Sequence, residues 1–179
     1  MLKIIGGKYR SRIIETPEVG TVPTKNMVRG AMLSCLGDVS GLVALDLFAG
    51  SGALGIEALS RGASDAVFVD AVRNTSLIIK SNLAKLGESR EVLNLDYLAA
   101  LKKLKEEGRV FDIVFLDPPY ALKQAYQESI NMLLELGLLS DGAQIILEYE
   151  GEIEVDRTPF AFAREYKYGK TKVLLLRRN

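Results

Sequence analysis

From residue 42 onward, two kinds of segment alternate along the chain. Short apolar runs typical of buried strands are each followed by a stretch whose apolar residues recur three or four apart, as in an amphipathic helix. The predicted strands are 42–47, 66–69, 92–95, 111–116 and 143–148. The predicted helices between them are 53–61, 76–86, 97–107 and 123–136. Repeated β-α units predict a parallel sheet with helices on both faces, since each crossover must be right-handed.

The N-terminal part does not follow this alternation. Two short apolar pieces, 2–5 and 12–14, flank a glycine pair, and extended pieces joined by glycines predict a small hairpin. An amphipathic helix is expected at 24–36, where apolar residues recur on one face and a glycine follows as a stop. Residues 1–37 are therefore predicted to form a hairpin and helix extension.

The C-terminal part differs as well. Residues 160–166 and 172–176 have no helical segment between them, which predicts an antiparallel pair that closes the sheet. The chain has no internal repeat, low-complexity tract or linker, and 179 residues fit one domain with a sizeable core. We expect a single α/β domain over 1–179, in which 38–179 form the core and 1–37 the extension.

Composition narrows the class and the setting. Apolar residues make up 48% of the chain and charged residues 26%, as in ordinary globular proteins. No apolar run approaches the roughly 20 residues that a membrane-spanning helix needs, and the N-terminal apolar run is too short for a signal peptide. The one cysteine, Cys35, adjoins the apolar face of the predicted 24–36 helix and is expected in the core. A cytoplasmic location is the expectation.

Charge is balanced overall but unevenly distributed. The chain has 23 basic and 23 acidic residues. Residues 1–30 hold six Lys and Arg against two Asp and Glu, residues 164–179 hold six against one, and the middle is acidic. Basic ends of this kind either bind a polyanion or are simply solvated.

Residues 46–55 read Asp-Leu-Phe-Ala-Gly-Ser-Gly-Ala-Leu-Gly, at the junction of a predicted strand and helix. This G-x-G-x-x-G spacing places backbone N–H groups at a helix N-terminus and is typical of a site for a nucleotide-like cofactor. The predicted cofactor contacts from this stretch are Asp46, Leu47, Phe48, Ala49, Gly50, Ser51 and Gly52.

Four predicted strands end in an acid, at Asp46, Asp70, Asp96 and Asp117. Since ligands of such sheets bind at the carboxyl ends of the strands, the four acids predict a shared site. Asp70 is expected to accept the hydroxyls of a ribose, unless it is a solvated loop acid. Asp96 is expected to accept from an adenine amine or to cap the next helix, and both roles can coexist. Asp46 would repel a pyrophosphate but suits a sulfonium, which favours S-adenosylmethionine.

The sharpest signal is the tetrapeptide Asp117-Pro118-Pro119-Tyr120. Two prolines make a rigid, extended turn, so that Asp117 and the Pro118 carbonyl can present two acceptors to the hydrogens of an –NH₂ group. Tyr120 offers a ring on which a flipped base can stack. These four residues are the predicted catalytic residues of an amine methyltransferase.

Several functions remain open on the residues alone. The same tetrapeptide type suits an amine of a nucleic-acid base, including DNA adenine, or of a protein glutamine. The glycine spacing alone also allows an NAD-dependent oxidoreductase, although Asp46 and the absence of histidine count against it. A fourth interpretation is an RNA-binding module without catalysis.

Three segments together resemble the RsmD family of bacterial 16S rRNA guanine-N2 methyltransferases. They are residues 46–63, the tetrapeptide at 117–120, and the N-terminal segment 4–12 with Pro23-Thr24 and Val28-Arg29. The resemblance covers nearly the whole chain. It implies a Rossmann-like class I fold with a seven-stranded sheet whose last strand is antiparallel, and S-adenosylmethionine as cofactor without a metal. It also implies a guanine N2 target in 16S rRNA of an assembled or partly assembled small ribosomal subunit.

The resemblance also suggests where RNA is held. Lys8, Arg10 and Arg12 on the predicted hairpin are the expected RNA contacts. The run 22–30 lacks several charged residues of the family pattern, which leaves Arg29 as the clearest basic contact carried over from it.

Overall fold

A computed structural model describes residues 1–17 and 26–179 of the chain. The strands are β1 (Leu2–Lys3), β2 (Ile13–Ile14), β3 (Val43–Asp46), β4 (Asp65–Val69), β5 (Val92–Leu93), β6 (Phe111–Leu116), β7 (Leu139–Glu150), β8 (Phe162–Tyr168) and β9 (Thr171–Arg177). The helices are α1 (Asn26–Leu36), α2 (Ala53–Ser60), α3 (Arg73–Lys85), α4 (Tyr97–Glu106) and α5 (Gln124–Glu135). The predicted start of the first helix, at residue 24, lies outside the described residues.

Seven strands form one sheet in the order β5-β4-β3-β6-β7-β9-β8. The pairs from β5 to β7 are parallel, whereas β9 runs antiparallel to both of its neighbours. The mostly parallel sheet with an antiparallel last strand is therefore confirmed. The chain builds outward from β3 to β5 on one side and then crosses to β6 on the other, so the strand order reverses between β3 and β6. Ligand sites of open α/β sheets lie at such a reversal.

Alternate residues of the sheet divide the core into two layers. Along β6, Ile113 and Phe115 pack into one apolar cluster with α1, α2 and α3, while Val114 and Leu116 pack into the other with α4 and α5. Period-two alternation buried on both faces is what a central parallel strand requires. Cys35 is half-buried against the first cluster, as expected for a residue beside the core.

Most elements match the predictions to within one or two residues, and the larger differences have local causes. Helix α3 begins at Arg73, three residues before the predicted start, because polar residues fill its first turn and leave no apolar pattern. Strand β7 begins at Leu139, four residues early. Its register with β6 shifts after Phe111, in a stretch that contains Gly142 at φ 72° and resembles a turn in the sequence. Strand β5 is only two residues long, where four were predicted.

The hairpin of β1 and β2 forms as predicted, with Leu2 opposite Ile14, and it docks on α2. The Lys8 N–H donates to the Ser60 carbonyl at 2.8 Å, and the Ser60 hydroxyl donates to the Gly6 carbonyl at 2.5 Å. Gly7 has φ 74°, and a Cβ there would lie 1.9 Å from the Ser60 carbonyl oxygen. Only glycine allows this approach, so the glycine pair serves to seat the hairpin on the core.

Among the described residues, no helix is long and apolar enough to cross a membrane.

Candidate active site

A cavity of about 370 Å³ lies at the carboxyl edge of the sheet, where the strand order reverses. The glycine loop follows β3, and the tetrapeptide follows the neighbouring strand β6, so two segments far apart in sequence line one cavity. The lining residues from the predicted site are Leu47, Phe48, Ala49, Gly50, Ser51, Asp70, Asp96, Asp117, Pro118, Pro119 and Tyr120. Asp46 and Gly52 do not line it.

The glycine loop is held by backbone bonds on both sides. The Ala49 N–H donates to the Val69 carbonyl at the end of β4, and the Gly52 N–H closes the turn onto the Ala49 carbonyl, each at 2.8 Å. Helix α2 then packs directly on β4, where a Cβ on Gly55 would lie 2.4 Å from the Phe68 ring. The glycines of the motif thus allow a tight turn and a close helix-strand contact.

Asp46 lies beneath the loop and not in the cavity lining, which corrects the expectation that it contacts a sulfonium. Its side chain is buried and accepts the Gly55 N–H at 3.0 Å, so it supports the start of α2. Burial, with a smaller contribution from the charge of Asp70, raises the pKa of Asp46 to about 7. Asp46 therefore supports the loop and does not contact a cationic ligand directly.

Asp70 reaches the loop from the end of β4. One of its oxygens accepts the Gly50 N–H at 3.0 Å, and the other accepts the Val72 N–H at 2.9 Å. Burial raises the pKa of this carboxyl. Since a carboxylate has about four lone-pair sites, each oxygen can also accept a hydroxyl from the cavity side. The arrangement fits the ribose role that was predicted.

Asp96 caps α4, and its oxygen Oδ1 accepts the Leu98 and Ala99 N–H groups at 2.9 and 3.1 Å. The capping alternative is confirmed, and Asp96 also lines the cavity, so a ligand contact remains compatible with it. The adjoining wall is aromatic, with the rings of Phe48 and Tyr97 5.1 Å apart. An apolar wall beside a carboxylate fits a purine with an exocyclic amine.

The tetrapeptide forms the other end of the cavity. Asp117 is half-buried and Pro118 is buried, while Pro119 and Tyr120 are exposed. The Pro119 carbonyl accepts the Leu122 N–H at 2.8 Å, which turns the chain back toward α5. Tyr120 is 57% exposed, and desolvation together with Glu150 raises its pKa to about 12, so its ring is neutral near pH 7.

The three basic residues predicted on the hairpin lie at the surface and away from the cavity lining. Lys8 pairs with Glu88 at 3.3 Å and keeps 58% of its side chain exposed. Arg12 donates to the Lys85 carbonyl at 2.7 Å, and Arg10 is exposed.

Arg29 is a different case, and the prediction that it contacts RNA is wrong for this structure. The residue is 1% exposed. Its Nη2 donates to the Lys3 carbonyl at 2.7 Å, and its Nε lies 3.5 Å from Oε1 of buried Glu57. Glu57 also accepts the Ile5 N–H at 2.6 Å. Arg29 therefore ties α1 and the hairpin to α2, a role that an arginine in a helix pattern does not reveal.

The sequence reasoning missed Asn82, which joins the extension to the glycine loop. This buried residue of α3 donates from Nδ2 to the carbonyls of Ser51 and Glu15, both at 2.9 Å, and accepts the Glu15 N–H at 2.8 Å. Next along the extension, Thr16 and Pro17 line the cavity. The available signal was the position of Asn82 on the apolar face of the helix, three residues after Ile79 and directly before Leu83.

Glu148 was also missed. It lies near the end of β7, is 8% exposed, and lines the cavity close to the tetrapeptide. The signal in the sequence was an acid directly after the apolar residues 145–147 of a predicted strand. No group of three or more potential metal ligands occurs among residues 1–17 and 26–179.

Sheet order, glycine loop and cavity define the fold class of the class I methyltransferases, whose cofactor is S-adenosylmethionine. A family model described as "Conserved hypothetical protein 95" matches residues 2–177. The chain belongs to this family, the RsmD family, as its segments suggested. The chain is 37% identical to ribosomal RNA small subunit methyltransferase D of Escherichia coli K12, over 99% of this chain and 90% of that protein. Family membership confirms the cofactor prediction and excludes the NAD-dependent interpretation.

Solved structures agree with this assignment. The Escherichia coli protein yhhF superposes with a TM-score of 0.86 at 36% identity, over 99% of this chain and 98% of that chain. A Thermus thermophilus 16S rRNA N2 G1207 methyltransferase in complex with AdoMet and guanosine superposes with a TM-score of 0.76. It is 22% identical and covers 99% of this chain and 49% of that one, so it supports the fold alone.

Proposed function

We propose that this S-adenosylmethionine-dependent rRNA methyltransferase methylates the exocyclic N2 amine of a guanine in 16S rRNA. The observation that carries the proposal is the shared cavity, which residues 117–120 line together with the glycine loop and Asp70. One end of the cavity suits an adenosine, and the other suits an amine on a planar base. The name of the Escherichia coli relative, a small-subunit methyltransferase, supports the small subunit as partner.

When bound, S-adenosylmethionine supplies a methyl group activated by its sulfonium. Residues 46–52 with Asp70 and Asp96 are the proposed cofactor site, in which Asp46 and Gly52 act from beneath the loop. Asp70 is proposed to accept ribose hydroxyls, and Asp96 an adenine amine.

Asp117 and the Pro118 carbonyl are proposed to accept the two hydrogens of the target amine. Because the amine lone pair is delocalised into the ring, a guanine N2 is a poor nucleophile. Two fixed acceptors favour a more pyramidal nitrogen with its lone pair aimed at the methyl, and the surplus proton leaves toward the Asp117 carboxylate. Positioning and charge placement supply the rate enhancement, without a covalent intermediate on the enzyme.

Pro119 and Tyr120 are proposed to hold the flipped base. The Tyr120 ring is exposed and neutral, and stacking of one base on an aromatic ring contributes about 1–3 kcal/mol. That gain offsets the few kcal/mol that unstacking a base from RNA requires.

The hairpin residues Lys8, Arg10 and Arg12 are proposed to contact RNA phosphates next to the target. Their exposure and their place on the extension that borders the cavity support this role. The partner is 16S rRNA in an assembled or partly assembled small subunit in the cytoplasm. Residues 1–37 act in this proposal as the RNA-contacting extension, and 38–179 as the catalytic core.

The test uses labelled S-adenosylmethionine and small subunits from a strain that lacks this protein. We expect label in rRNA, recovered as N2-methylguanosine after digestion and mass spectrometry. Label in adenine, in DNA or on protein glutamine, with none in guanine, would assign the enzyme to another amine acceptor and overturn the proposal.

A further inference from the structure

Glu148 lies on β7, and Asp117 directly follows the neighbouring strand β6. Strands β6 and β7 pair in parallel with Phe115 opposite Ile146, and both of these side chains belong to the same core cluster. Asp117 and Glu148 each lie two residues beyond this pair, so the register brings them next to each other at the carboxyl edge of the sheet, where neighbouring strands are about 4.8 Å apart. Both line the cavity.

The position of Glu148 is fixed from two sides. The backbone of Glu148 pairs with that of Val173 in the antiparallel β7–β9 ladder. Its backbone carbonyl accepts the hydroxyl of buried Tyr126 at 2.6 Å. These contacts fix the backbone at the cavity wall, and a carboxylate with about four lone-pair sites can accept from a ligand there while keeping other contacts.

Two neighbouring acids match a particular edge of a base. On its Watson–Crick edge, guanine has the N2 amine next to the N1–H, so both groups donate hydrogen bonds. Adenine has an amine next to an N1 lone pair, and a glutamine amide has its amine next to a carbonyl oxygen. A second carboxylate beside the amine contact attracts the guanine edge and repels the other two, because an acceptor facing an acceptor is unfavourable.

We propose that Glu148 accepts the N1–H of the target guanine while Asp117 and Pro118 hold its N2 amine, so that Glu148 selects guanine over other amines. This inference rests on the proposed function, because it assigns the specificity of the same site.

The test compares wild type with Glu148→Gln on small subunits that lack the modification. Glutamine keeps the size of the side chain but can turn an N–H donor toward the base. We expect kcat/KM for rRNA methylation to fall about tenfold or more in the variant, since a hydrogen bond to a charged group is lost. The affinity for S-adenosylhomocysteine, measured by calorimetry, should be unchanged. Glu154→Gln, at an exposed glutamate, is the matched control and should behave as wild type.

A second measurement separates selection from a merely structural role. Guanosine and 2-aminopurine riboside carry the same amine, but N1 of 2-aminopurine is an acceptor. Both nucleosides are tested as competitive inhibitors of the wild-type enzyme, and guanosine should inhibit about tenfold or more strongly than 2-aminopurine riboside. In Glu148→Gln that preference should vanish or reverse, because the amide can donate to N1.

The two measurements distinguish this inference from the proposed function. If wild type yields N2-methylguanosine but Glu148→Gln keeps both the wild-type rate and the wild-type preference between nucleosides, the role of Glu148 is wrong and the function stands. A wild-type product other than N2-methylguanosine overturns the function itself, and with it this inference. Absence of inhibition by guanosine in wild type also overturns the inference.

Discussion

The two ends of the cavity are built from different kinds of contact. At the glycine-loop end, formed by residues 47–51 with Asp70 and Asp96, the carboxylates already accept backbone N–H groups of the fold. At the tetrapeptide end, formed by residues 117–120 with Glu148, the side chains come from two strands and an exposed turn.

The difference separates binding from chemistry. A loop whose carboxylates are bonded to its own backbone is preorganised, so a ligand there pays little to order the protein. The tetrapeptide end instead places side chains from two segments and the exposed ring of Tyr120 along the cavity, where a base can contact them. Substitutions at the first end should therefore change cofactor affinity and stability, and substitutions at the second should change the methylation rate.

The largest expected effect is that of Asp117→Ala at the tetrapeptide end. Removing one of two acceptors for the amine should lower the methylation rate about 100-fold or more, comparable to the loss of one oxyanion-hole donor in other enzymes. Affinity for S-adenosylhomocysteine and binding to small subunits should stay within about twofold of wild type. Single-turnover methylation and calorimetry measure the two quantities.

Unchanged methylation in Asp117→Ala would remove the proposed amine contact. The control is Asp112→Ala, since Asp112 lies on β6, the strand that Asp117 follows, but its carboxylate accepts from Val43 and Ser140 and is not part of the cavity lining. This variant should lose stability and leave the turnover of the folded protein intact.

Asp46, which lies beneath the glycine-loop end, is expected to make the stability of the protein depend on pH. Its pKa is raised to about 7 by burial, so the folded chain retains a proton that the unfolded chain releases above about pH 4. The stability from this group is therefore present near pH 4 and is lost as the pH rises through 7. Asp46→Asn removes the ionisation and keeps an acceptor for Gly55. Its free energy of unfolding relative to wild type should rise by about 2 kcal/mol from pH 5 to pH 8.

Denaturant unfolding at several pH values measures this difference. The control is Asp156→Asn, an exposed site whose pKa is lowered by hydrogen bonds from Thr158, so it titrates below this window. A difference for Asp46→Asn that stays constant between pH 5 and pH 8 would show that Asp46 is already ionised in the folded state at pH 5.

The sequence predicted what depends on local patterns. Periodicity located β6 to the residue, and the glycine spacing and tetrapeptide located both ends of the cavity, because consecutive residues build each of them. The early start of α3 and the shifted register of β7 were missed, since polar residues in a first turn and a glycine within a strand resemble a loop.

Contacts between distant segments could not be read from such patterns. Arg29 was expected at the RNA surface, yet its partner Glu57 lies 28 residues away on α2, and only the folded chain brings the two together. Asn82 and Glu148 were missed for the same reason. A buried polar residue in an apolar pattern marks a site of interest, but its partners come from the tertiary structure.

A smaller effect is expected for Asn82→Ala, which tests how the extension supports the glycine-loop end. The variant loses the bonds to Ser51 and Glu15 and leaves buried backbone groups without their partner. We expect the affinity for S-adenosylhomocysteine to fall about tenfold, by calorimetry, with a lower melting temperature. Asn131→Ala, at an exposed asparagine of α5, is the control. Affinity within about twofold of wild type would show that the loop is rigid without this link.

The smallest effect is expected outside both ends, at the exposed Arg10 of the hairpin. If Arg10 contacts a phosphate of the substrate RNA, Arg10→Ala should weaken subunit binding by about 1 kcal/mol or less and reduce the slope of log affinity against log salt by about one. The methylation rate at saturating subunit should not change, because the cavity is untouched. The matched control is Lys105→Ala, an exposed basic residue on α4, which packs on the opposite face of the sheet from α1 and α2. A salt slope equal to that of wild type would place the phosphate contacts elsewhere on the surface and leave the hairpin with only its structural role beside Ser60.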